Sequence, residues 1–318
     1  MNDGIGIGVV MRSTGSWYAL RTPSGDLIDA RIKGKFRIAG IKTTNPLAVG
    51  DIVKFHIEED GTAVINAIED RKNYIIRKSV NLSKQGHIIA ANVDFAVLVV
   101  TIAHPRTTTG FIDRFLITAE AYDIPVVLVF NKIDLLDEQE LELMEQFITE
   151  YQKIGYQCLI TSATEGDGVE ELGALLKDKT VMLSGHSGAG KSSLINAVDP
   201  EIDARVGKIS ESHFKGKHTT TFAEMFPLSF GGDIIDTPGI KGFGLVDLDK
   251  EELNHYFKEF IALLPECKFH NCKHIDEPKC AVKDALDRFE IWDERYKNYL
   301  TMYFGDDEVH YRTNQYKS

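Results

Sequence analysis

A glycine-rich segment in the middle of the chain constrains the fold more than any other feature. The sequence GHSGAGKSS at 185–193 follows the apolar run Val181–Ser184 and precedes the helical pattern Ser192–Val198. This G-x-x-x-x-G-K-S motif predicts a phosphate-binding loop, because glycines let the backbone wrap phosphates and the helix start supplies N–H donors. We expect Lys191 at the β- and γ-phosphates and the Ser192 hydroxyl on Mg²⁺. The nucleotide-binding candidates in this segment are Gly185, His186, Ser187, Gly188, Ala189, Gly190, Lys191, Ser192 and Ser193.

A second motif indicates which base is bound. The sequence NKID at 131–134 follows the apolar strand pattern Val126–Phe130. The Asp134 carboxylate can accept from guanine N1–H and the 2-amino group, which adenine lacks, while Asn131 would bond the other base edge. The alternative is an ordinary polar loop with an N-cap aspartate. Further along, TSA at 161–163 would present a backbone N–H to guanine O6. The base-binding candidates are therefore Asn131, Lys132, Ile133, Asp134, Ser162 and Ala163.

Two more motifs belong near the terminal phosphate. In the sequence DTPG at 236–239, Asp236 is expected on the Mg²⁺ shell and the Gly239 N–H at the γ-phosphate. Upstream, a polar segment ends in HTTT at 218–221, and we assign Thr220 of this run as a Mg²⁺ ligand. The alternative is a plain threonine run in a loop.

The residue that follows Gly239 bears on hydrolysis. Ras-like enzymes carry there a glutamine that orients the attacking water, whereas this chain has Ile240, which cannot hydrogen-bond. The sequence therefore predicts slow hydrolysis until the missing group arrives by rearrangement, from a partner or from elsewhere in the chain. His218 is our candidate catalytic residue for orienting water, and a solvated loop histidine is the alternative.

The order of the motifs is itself unusual. In ordinary GTPases the phosphate-binding loop comes first, whereas here the base motif at 131–134 precedes it. The sequence therefore predicts a circularly permuted P-loop domain of the doubly wound α/β class. Its strand patterns are Phe95–Ile102, Pro125–Phe130, Gln157–Thr161, Val181–Ser184 and Asp233–Ile235, and its helical patterns lie near Phe111–Ala121, Gln139–Ile154, Val169–Leu176 and Ser192–Val198.

Different patterns flank this domain, so the chain is predicted to be multidomain. Residues 1–70 carry five short alternating segments, which predict an OB-fold β-barrel, with a mere spacer or docking barrel as the alternative. The nucleotide domain is expected over 71–245 and begins with a basic linker at 71–90. An α-helical domain is expected over 246–318, with one helix ending at Pro265 and another carrying apolar residues from Val282 to Leu300. The barrel strands are expected at Gly6–Arg12, Ser16–Arg21, Leu27–Arg37, Asp51–Glu58 and Thr62–Glu69.

A cysteine-rich loop in the C-terminal domain predicts a metal site. Four cysteines in 318 residues argue against a disulfide scaffold. The spacing Cys267-x4-Cys272-x-His274-x5-Cys280 offers three thiolates and an imidazole, the closed donor set of structural zinc. Reduced cysteines packed between helices are the alternative. We expect Cys158 to be a buried, small apolar residue.

The charge balance limits nucleic-acid contacts to local patches. Lys and Arg number 36 against 48 Asp and Glu, a net charge of −12, which excludes a basic surface over the whole chain. No apolar stretch is long enough to span a bilayer and no signal peptide is evident, so we expect a cytoplasmic protein. An acid-free run in the barrel is the candidate RNA patch, with an ordinary solvated face as the alternative: Arg31, Lys33, Lys35, Arg37 and Lys42.

With NKID, GHSGAGKSS and DTPG in permuted order between a barrel and a Cys₃His loop, nearly the whole chain resembles the ribosome small-subunit-dependent GTPase A family, also called RsgA or YjeQ. The resemblance implies an enzyme that hydrolyses GTP to GDP and phosphate with stimulation by the 30S subunit. It also implies binding to 16S rRNA, a role in late small-subunit maturation, and one structural zinc ion. A monomer without membrane contacts is our default expectation.

Two other functions fit the same motifs. A permuted GTPase that acts on the large subunit would share the nucleotide motifs, although the barrel and Cys₃His loop fit the small-subunit family better. A GTP-dependent RNA-binding switch, in which hydrolysis is incidental, is the second. A metabolic P-loop kinase is disfavoured because NKID at 131–134 has no role there.

Overall fold

The N-terminal part of the chain folds into a closed five-stranded barrel. The computed structural model describes residues 5–14, 16–32, 46–78, 86–202, 223–236 and 249–305. The barrel strands are β1 Gly6–Ser13, β2 Trp17–Arg21, β3 Leu27–Ile32, β4 Ile52–Ile57 and β5 Ala63–Ile68. They pair in the order β1-β2-β3-β5-β4-β1, with β3 and β5 parallel and the other neighbours antiparallel. This closed order confirms the predicted OB-fold barrel.

The central part is a mostly parallel sheet with helices on both faces. Its strands are β8 Phe95–Val100, β9 Val126–Asn131, β10 Gln157–Thr161, β11 Thr180–Gly185, β12 Glu224–Pro227 and β13 Asp233–Asp236. They lie in the order β10-β9-β8-β11-β13-β12, and β12 alone of these six is antiparallel. Strand β12, which the sequence did not indicate, pairs with β1 at Arg12 and Glu224, so barrel and central domain share one eleven-stranded sheet.

Four helices cover the central sheet, two on each face. They are α1 Thr109–Ala121, α2 Glu138–Lys153, α3 Val169–Leu176 and α4 Lys191–Val198. On β8, Leu98 and Val100 pack with α1 and α2, whereas Val97 and Val99 pack with α3 and α4. Strands buried on both faces read as continuous apolar runs, which confirms the predicted doubly wound class. None of the helices in the described ranges is long and apolar enough to cross a bilayer.

The segment 71–90, expected to be a linker, contains regular structure. Strands β6 Tyr74–Lys78 and β7 Gly86–Ala91 form an antiparallel ribbon, so the linker prediction was wrong for these residues. The segment is rich in basic residues and lacks the alternation of apolar and polar residues that would have indicated strands. The segment is also anchored to the barrel, because the buried Asp51 carboxylate accepts from Arg71 Nε at 2.6 Å.

The C-terminal helices are shorter than their apolar spacing predicted. The first stretch divides at Phe257, whose extended backbone separates a 3₁₀ turn from helix α5 Lys258–Leu263. The second divides into α6 Ala281–Asp287 and α7 Asp293–Phe304. Between α6 and α7, Phe289 has a φ of 57° and lies in a Schellman turn, in which the Glu290 N–H bonds the Ala285 carbonyl. Phe289, one of the apolar residues between Val282 and Leu300 that were predicted to share a helix, lies outside both helices and is 86% exposed.

Gly50 provides a test of the seam between the barrel and the ribbon. Its φ is 89°, and a Cβ there would lie 2.1 Å from the Ala91 carbonyl oxygen. We expect Gly50→Ala to lower the free energy of unfolding by about 3 kcal/mol, from backbone strain plus overpacking. The matched control is Gly25→Ala, since Gly25 has a φ of 92° with open space around it and should cost only about 1 kcal/mol. Urea unfolding followed by circular dichroism measures both, and equal losses would refute the close approach.

Candidate nucleotide-binding and metal-binding sites

The segment 185–193 runs from the end of β11 through a loop at 186–190 into the first turn of α4, the strand–loop–helix order that the sequence predicts. Three of its glycines have positive φ, at Gly185, Gly188 and Gly190. A Cβ on Gly190 would lie 2.3 Å from Asn131 Nδ2, and a Cβ on Gly185 would lie 2.6 Å from the Val99 carbonyl oxygen. Glycine is therefore needed at these two positions, because the loop closes against the base motif and against β8.

Lys191 lies inside this loop rather than in solvent. Its Nζ donates to the Gly185 carbonyl at 2.8 Å and to the His186 carbonyl at 2.9 Å. Burial lowers the pKa of Lys191, and the attraction of Asp236 acts in the opposite direction. Asp236 ends β13 beside β11, with its Cα paired to that of Leu183. The ammonium at the start of α4 is thus attracted by this carboxylate, and the next two residues of the helix, Ser192 and Ser193, are exposed.

The two base motifs meet each other at the ends of β9 and β10. The Ser162 hydroxyl donates to Asp134 Oδ1 at 2.6 Å, so the orientation of the Asp134 carboxylate depends on the second motif. Asp134 remains exposed. Lys132 has a φ of 69°, and its Nζ donates to the His104 carbonyl at 2.6 Å. Ile133 begins a short 3₁₀ turn, and Ala163 is partly buried beside Ser162.

Asn131 bridges the base motif and the phosphate-binding loop. Its Nδ2 donates to the Ala189 carbonyl at 2.9 Å, and its Oδ1 accepts from the Thr161 hydroxyl at 3.1 Å. Asn131 is buried, and this bridge links the end of β9 to the loop. The role of the Thr161 hydroxyl was missed from the sequence, because threonine at the end of a strand is common and its partner is 30 positions away.

Several sequence candidates lie outside the described residues. They are the water-orienting candidate His218, the Mg²⁺ candidate Thr220 and the γ-phosphate candidate Gly239. In the proposed RNA patch, Lys33, Lys35, Arg37 and Lys42 also lie outside them, whereas Arg31 is described and forms an ion pair with Glu58.

The four predicted metal ligands converge in the C-terminal domain. The donor atoms of Cys267, Cys272, His274 and Cys280 all lie within 4.8 Å of one another, and the four residues are buried. His274 Nδ1 is 3.3 Å from Cys280 Sγ and 3.7 Å from Cys267 Sγ, so this nitrogen faces the sulfurs. Helix α7 holds the loop, because the Tyr296 hydroxyl donates to the His274 carbonyl at 2.6 Å. The cluster could hold one metal ion.

Burial favours the neutral forms of Cys272 and His274. Burial raises the pKa of Cys272 to about 12 and lowers the pKa of His274 to about 4. The imidazole is therefore neutral at neutral pH and available as a ligand, whereas the thiols release protons when a cation binds. Cys158 is partly buried in β10, where burial raises its pKa to about 12, in keeping with an inert thiol.

Strand β11 leads into the glycine-rich segment 185–193 and follows β9 and β10 in the chain, yet in the sheet it lies between β8 and β13. An ordinary P-loop GTPase has this strand arrangement with a different starting point, so the fold and the site define a circularly permuted P-loop GTPase.

Comparisons with known proteins agree with this class. The RsgA GTPase family model matches residues 68–246, and the RsgA N-terminal domain model matches residues 7–65. The chain therefore belongs to the RsgA GTPase family, and it is a GTP hydrolase. It is 57% identical over 314 residues, 97% of this chain and 95% of the relative, to the small ribosomal subunit biogenesis GTPase RsgA of Flavobacterium psychrophilum.

Two solved structures resemble the whole chain. The crystal structure of YjeQ from Thermotoga maritima has a TM-score of 0.77 and 36% identity, covering 95% of this chain and 98% of that one. The structure of YloQ, described as a circularly permuted GTPase, has a TM-score of 0.73 and 30% identity, covering 98% of this chain and 96% of that one.

The metal cluster is tested by a pair of cysteine substitutions. We expect Cys272→Ser to reduce the metal content from about one ion per chain to near none, because one thiolate of the donor set is lost. Cys158→Ser is the matched control and should retain the metal, since Cys158 lies in β10. Elemental analysis of the purified full-length proteins measures both. Equal metal content in the two variants would contradict the site.

Proposed function

We propose that this GTPase acts on the small ribosomal subunit, binds 16S rRNA and uses GTP hydrolysis in late 30S maturation. The extent of the similarity carries the proposal. The Flavobacterium psychrophilum relative, named for small ribosomal subunit biogenesis, matches 97% of the chain, including the barrel and the metal-binding loop as well as the GTPase domain. We further propose that the protein works in the cytoplasm as a monomer.

For guanine recognition, we assign Asp134 as the residue that selects the base. Its Oδ1 is held by the Ser162 hydroxyl, which leaves the other carboxylate oxygen to accept from N1–H and the 2-amino group. A carboxylate that is already oriented loses less entropy when it binds a base. The Lys132 stem is tied to the His104 carbonyl and would cover the base face, with Asn131, Ile133 and Ala163 completing the base end.

At the phosphate end, the loop at 185–193 would hold the β- and γ-phosphates. The Lys191 ammonium is enclosed by two loop carbonyls, and phosphate oxygens would be stronger partners for it because they carry charge. Ser192, in the first turn of α4, would hold the Mg²⁺ that accompanies GTP together with Asp236 and Thr220. That ion supplies neutralisation of phosphate charge. Gly239 would donate its N–H to the γ-phosphate.

For hydrolysis, we propose that His218 orients the attacking water. Ile240 lacks the hydrogen-bonding group that Ras-like enzymes use, so the isolated protein is expected to turn over slowly. The small subunit would then stimulate hydrolysis by bringing His218 into place.

We propose zinc as the ion of the Cys267, Cys272, His274 and Cys280 cluster. Three thiolates and one imidazole favour zinc among common divalent ions, and four protein ligands leave no open position for catalysis. The role would be structural, since α5 and α6 have only 6 and 7 residues and isolated helices of that length are not stable in water.

Base selectivity tests the nucleotide site. We expect Asp134→Asn to weaken GDP binding by about 100-fold, because two hydrogen bonds to a charged acceptor are lost. Binding of xanthosine diphosphate should improve, since the asparagine amide can donate to the xanthine 2-oxygen. The control Asp137→Asn alters the N-cap of α2 three residues later and should leave GDP affinity unchanged. Calorimetry on the full chain measures all three, and unchanged base preference in Asp134→Asn would contradict the assignment.

Subunit stimulation tests the cellular role. Single-turnover GTP hydrolysis should accelerate by roughly tenfold or more with purified 30S subunits and not with 50S subunits. The reason is that contact with the small subunit is proposed to bring the water-orienting residue into place. His218→Ala should remove the acceleration and keep GTP affinity, whereas the control His255→Ala, at an exposed position in the C-terminal domain, should retain it. Stimulation by 50S subunits alone would favour the large-subunit alternative. No stimulation by either subunit would favour the RNA-binding switch.

A further inference from the structure

Helix α1 contacts the phosphate-binding loop through Phe111. The Phe111 ring stacks on the His186 ring, with centroids 4.0 Å apart and planes at 29°. Phe111 is buried in the core beneath the sheet, so its position is fixed by that core. His186 is also the residue whose carbonyl accepts from Lys191 at 2.9 Å. The stack therefore supports the backbone that encloses the lysine.

The same helix contacts the C-terminal domain through Asp113. Both oxygens of this buried carboxylate accept from α7, one from Arg295 at 2.7 Å and the other from Asn298 Nδ2 at 2.6 Å. The Tyr151 hydroxyl of α2 donates to it at 2.8 Å. Helices α1 and α7 pack closely, since a Cβ on Gly110 of α1 would lie 3.4 Å from Asn298 Oδ1 of α7.

Arg295 joins Asp113 to a second carboxylate. Its Nε donates to Glu259 Oε1 on α5 at 2.7 Å, and its guanidinium carbon lies 4.6 Å from the centroid of the Phe257 ring. Burial acts to lower the pKa of Arg295, but Asp113 and Glu259 outweigh it and raise the pKa well above its usual range. Breaking either contact would leave a buried charge without one of its partners, which is costly. Arg295 therefore fixes α1 relative to α5 and α7.

Residues 111 and 113 are two positions apart on a helix and so point in nearly opposite directions. Ile117, further along α1, belongs to the core of the C-terminal domain, whereas Phe111 belongs to the core of the central sheet. Helix α1 is thus held between the two domains. A shift at the Asp113 contact must move the Phe111 ring against His186.

We propose that Phe111 is a positioning residue of the nucleotide site, and that Arg295 acts through Asp113 and α1 to hold Phe111 against His186. The C-terminal domain thereby contributes to nucleotide affinity without touching the nucleotide. This proposal rests on the proposed assignment of 185–193 as the phosphate-binding loop.

The first test compares two phenylalanines of the same helix. We expect Phe111→Leu to weaken GDP binding by about 3- to 10-fold, the value of one aromatic stack. Phe115→Leu is the matched control: Phe115 lies one turn later in the same core, so the change removes a similar volume. Calorimetry measures GDP affinity, and thermal melts measure the stability that each variant loses from the smaller core side chain. If the parent protein does not bind GDP, the proposed nucleotide site fails. If it binds and both variants bind alike, only the positioning role fails.

The second test asks whether Arg295 acts through Phe111. Arg295→Lys keeps the charge and loses the planar fork that reaches two carboxylates at once. We expect GDP binding about 3- to 10-fold weaker, with the metal content retained. A double variant that carries both Phe111→Leu and Arg295→Lys should bind GDP about as weakly as Phe111→Leu alone, because both changes weaken the same contact between Phe111 and His186. Additive losses, or unchanged affinity in Arg295→Lys, would overturn the coupling.

Trp292 gives a readout that does not require Arg295→Lys to fold. It packs on Phe147 and on Tyr151, the tyrosine that donates to Asp113, with ring centroids 5.5 and 5.7 Å away. The chain has two tryptophans, so Trp17→Phe leaves Trp292 as the sole tryptophan, which is excited selectively at wavelengths that tyrosine does not absorb. Saturating GDP should shift Trp292 emission in this background, and Phe111→Leu should reduce the shift by more than half at saturation. Emission that is unaffected by GDP would overturn the coupling.

Discussion

Parallel pairing of five central strands is the constraint on which the nucleotide site depends. Parallel strands end at one edge of a sheet, so the loops that follow them meet there whatever their order in the chain. The Asn131 amide accordingly reaches the Ala189 carbonyl across 58 positions of sequence, and glycine at 190 leaves room for it. Circular permutation moves the chain ends and leaves these strand pairings intact. The site therefore depends on how the strands pair in the sheet and not on their order along the chain.

The barrel is bonded to that sheet and not merely tethered to it. Strand β1 pairs with β12, which in turn pairs with β13, the strand that ends at Asp236. Arg21 of β2 adds a two-pronged ion pair to Asp233, at 2.5 and 2.7 Å. Shared ladder bonds and a part-buried ion pair make the edge of the nucleotide domain continuous with the barrel wall. An RNA contact on the barrel would thus bear directly on the strands beside the phosphate-binding loop.

The C-terminal domain is stabilised in two different ways. Its short helices are held to one another by the cluster around His274, whose four donors converge from a loop of 14 residues. It is held to the nucleotide domain by Arg295, which is fully buried between Asp113 and Glu259. Removal of one partner from such a group leaves an unpaired buried charge, typically at a cost of about 3–5 kcal/mol. The orientation of α7 on α1 is therefore strongly specified.

Each motif whose parts are adjacent in the chain was visible in the sequence. The glycines of 185–193, the NKID motif at 131–134, the TSA motif at 161–163, the ligand spacing from Cys267 to Cys280 and the barrel alternation all depend on local pattern, and local pattern follows from backbone geometry. The ribbon of β6 and β7, strand β12 and the turn at Phe289 were missed, because a weak or coincidental apolar period carries no information about pairing. The Arg295–Asp113 contact spans 182 positions, and in the sequence a buried arginine looks like any surface charge on an amphipathic helix. Only the tertiary structure decided which charges are buried together, since desolvation and packing depend on partners that the chain brings together by folding.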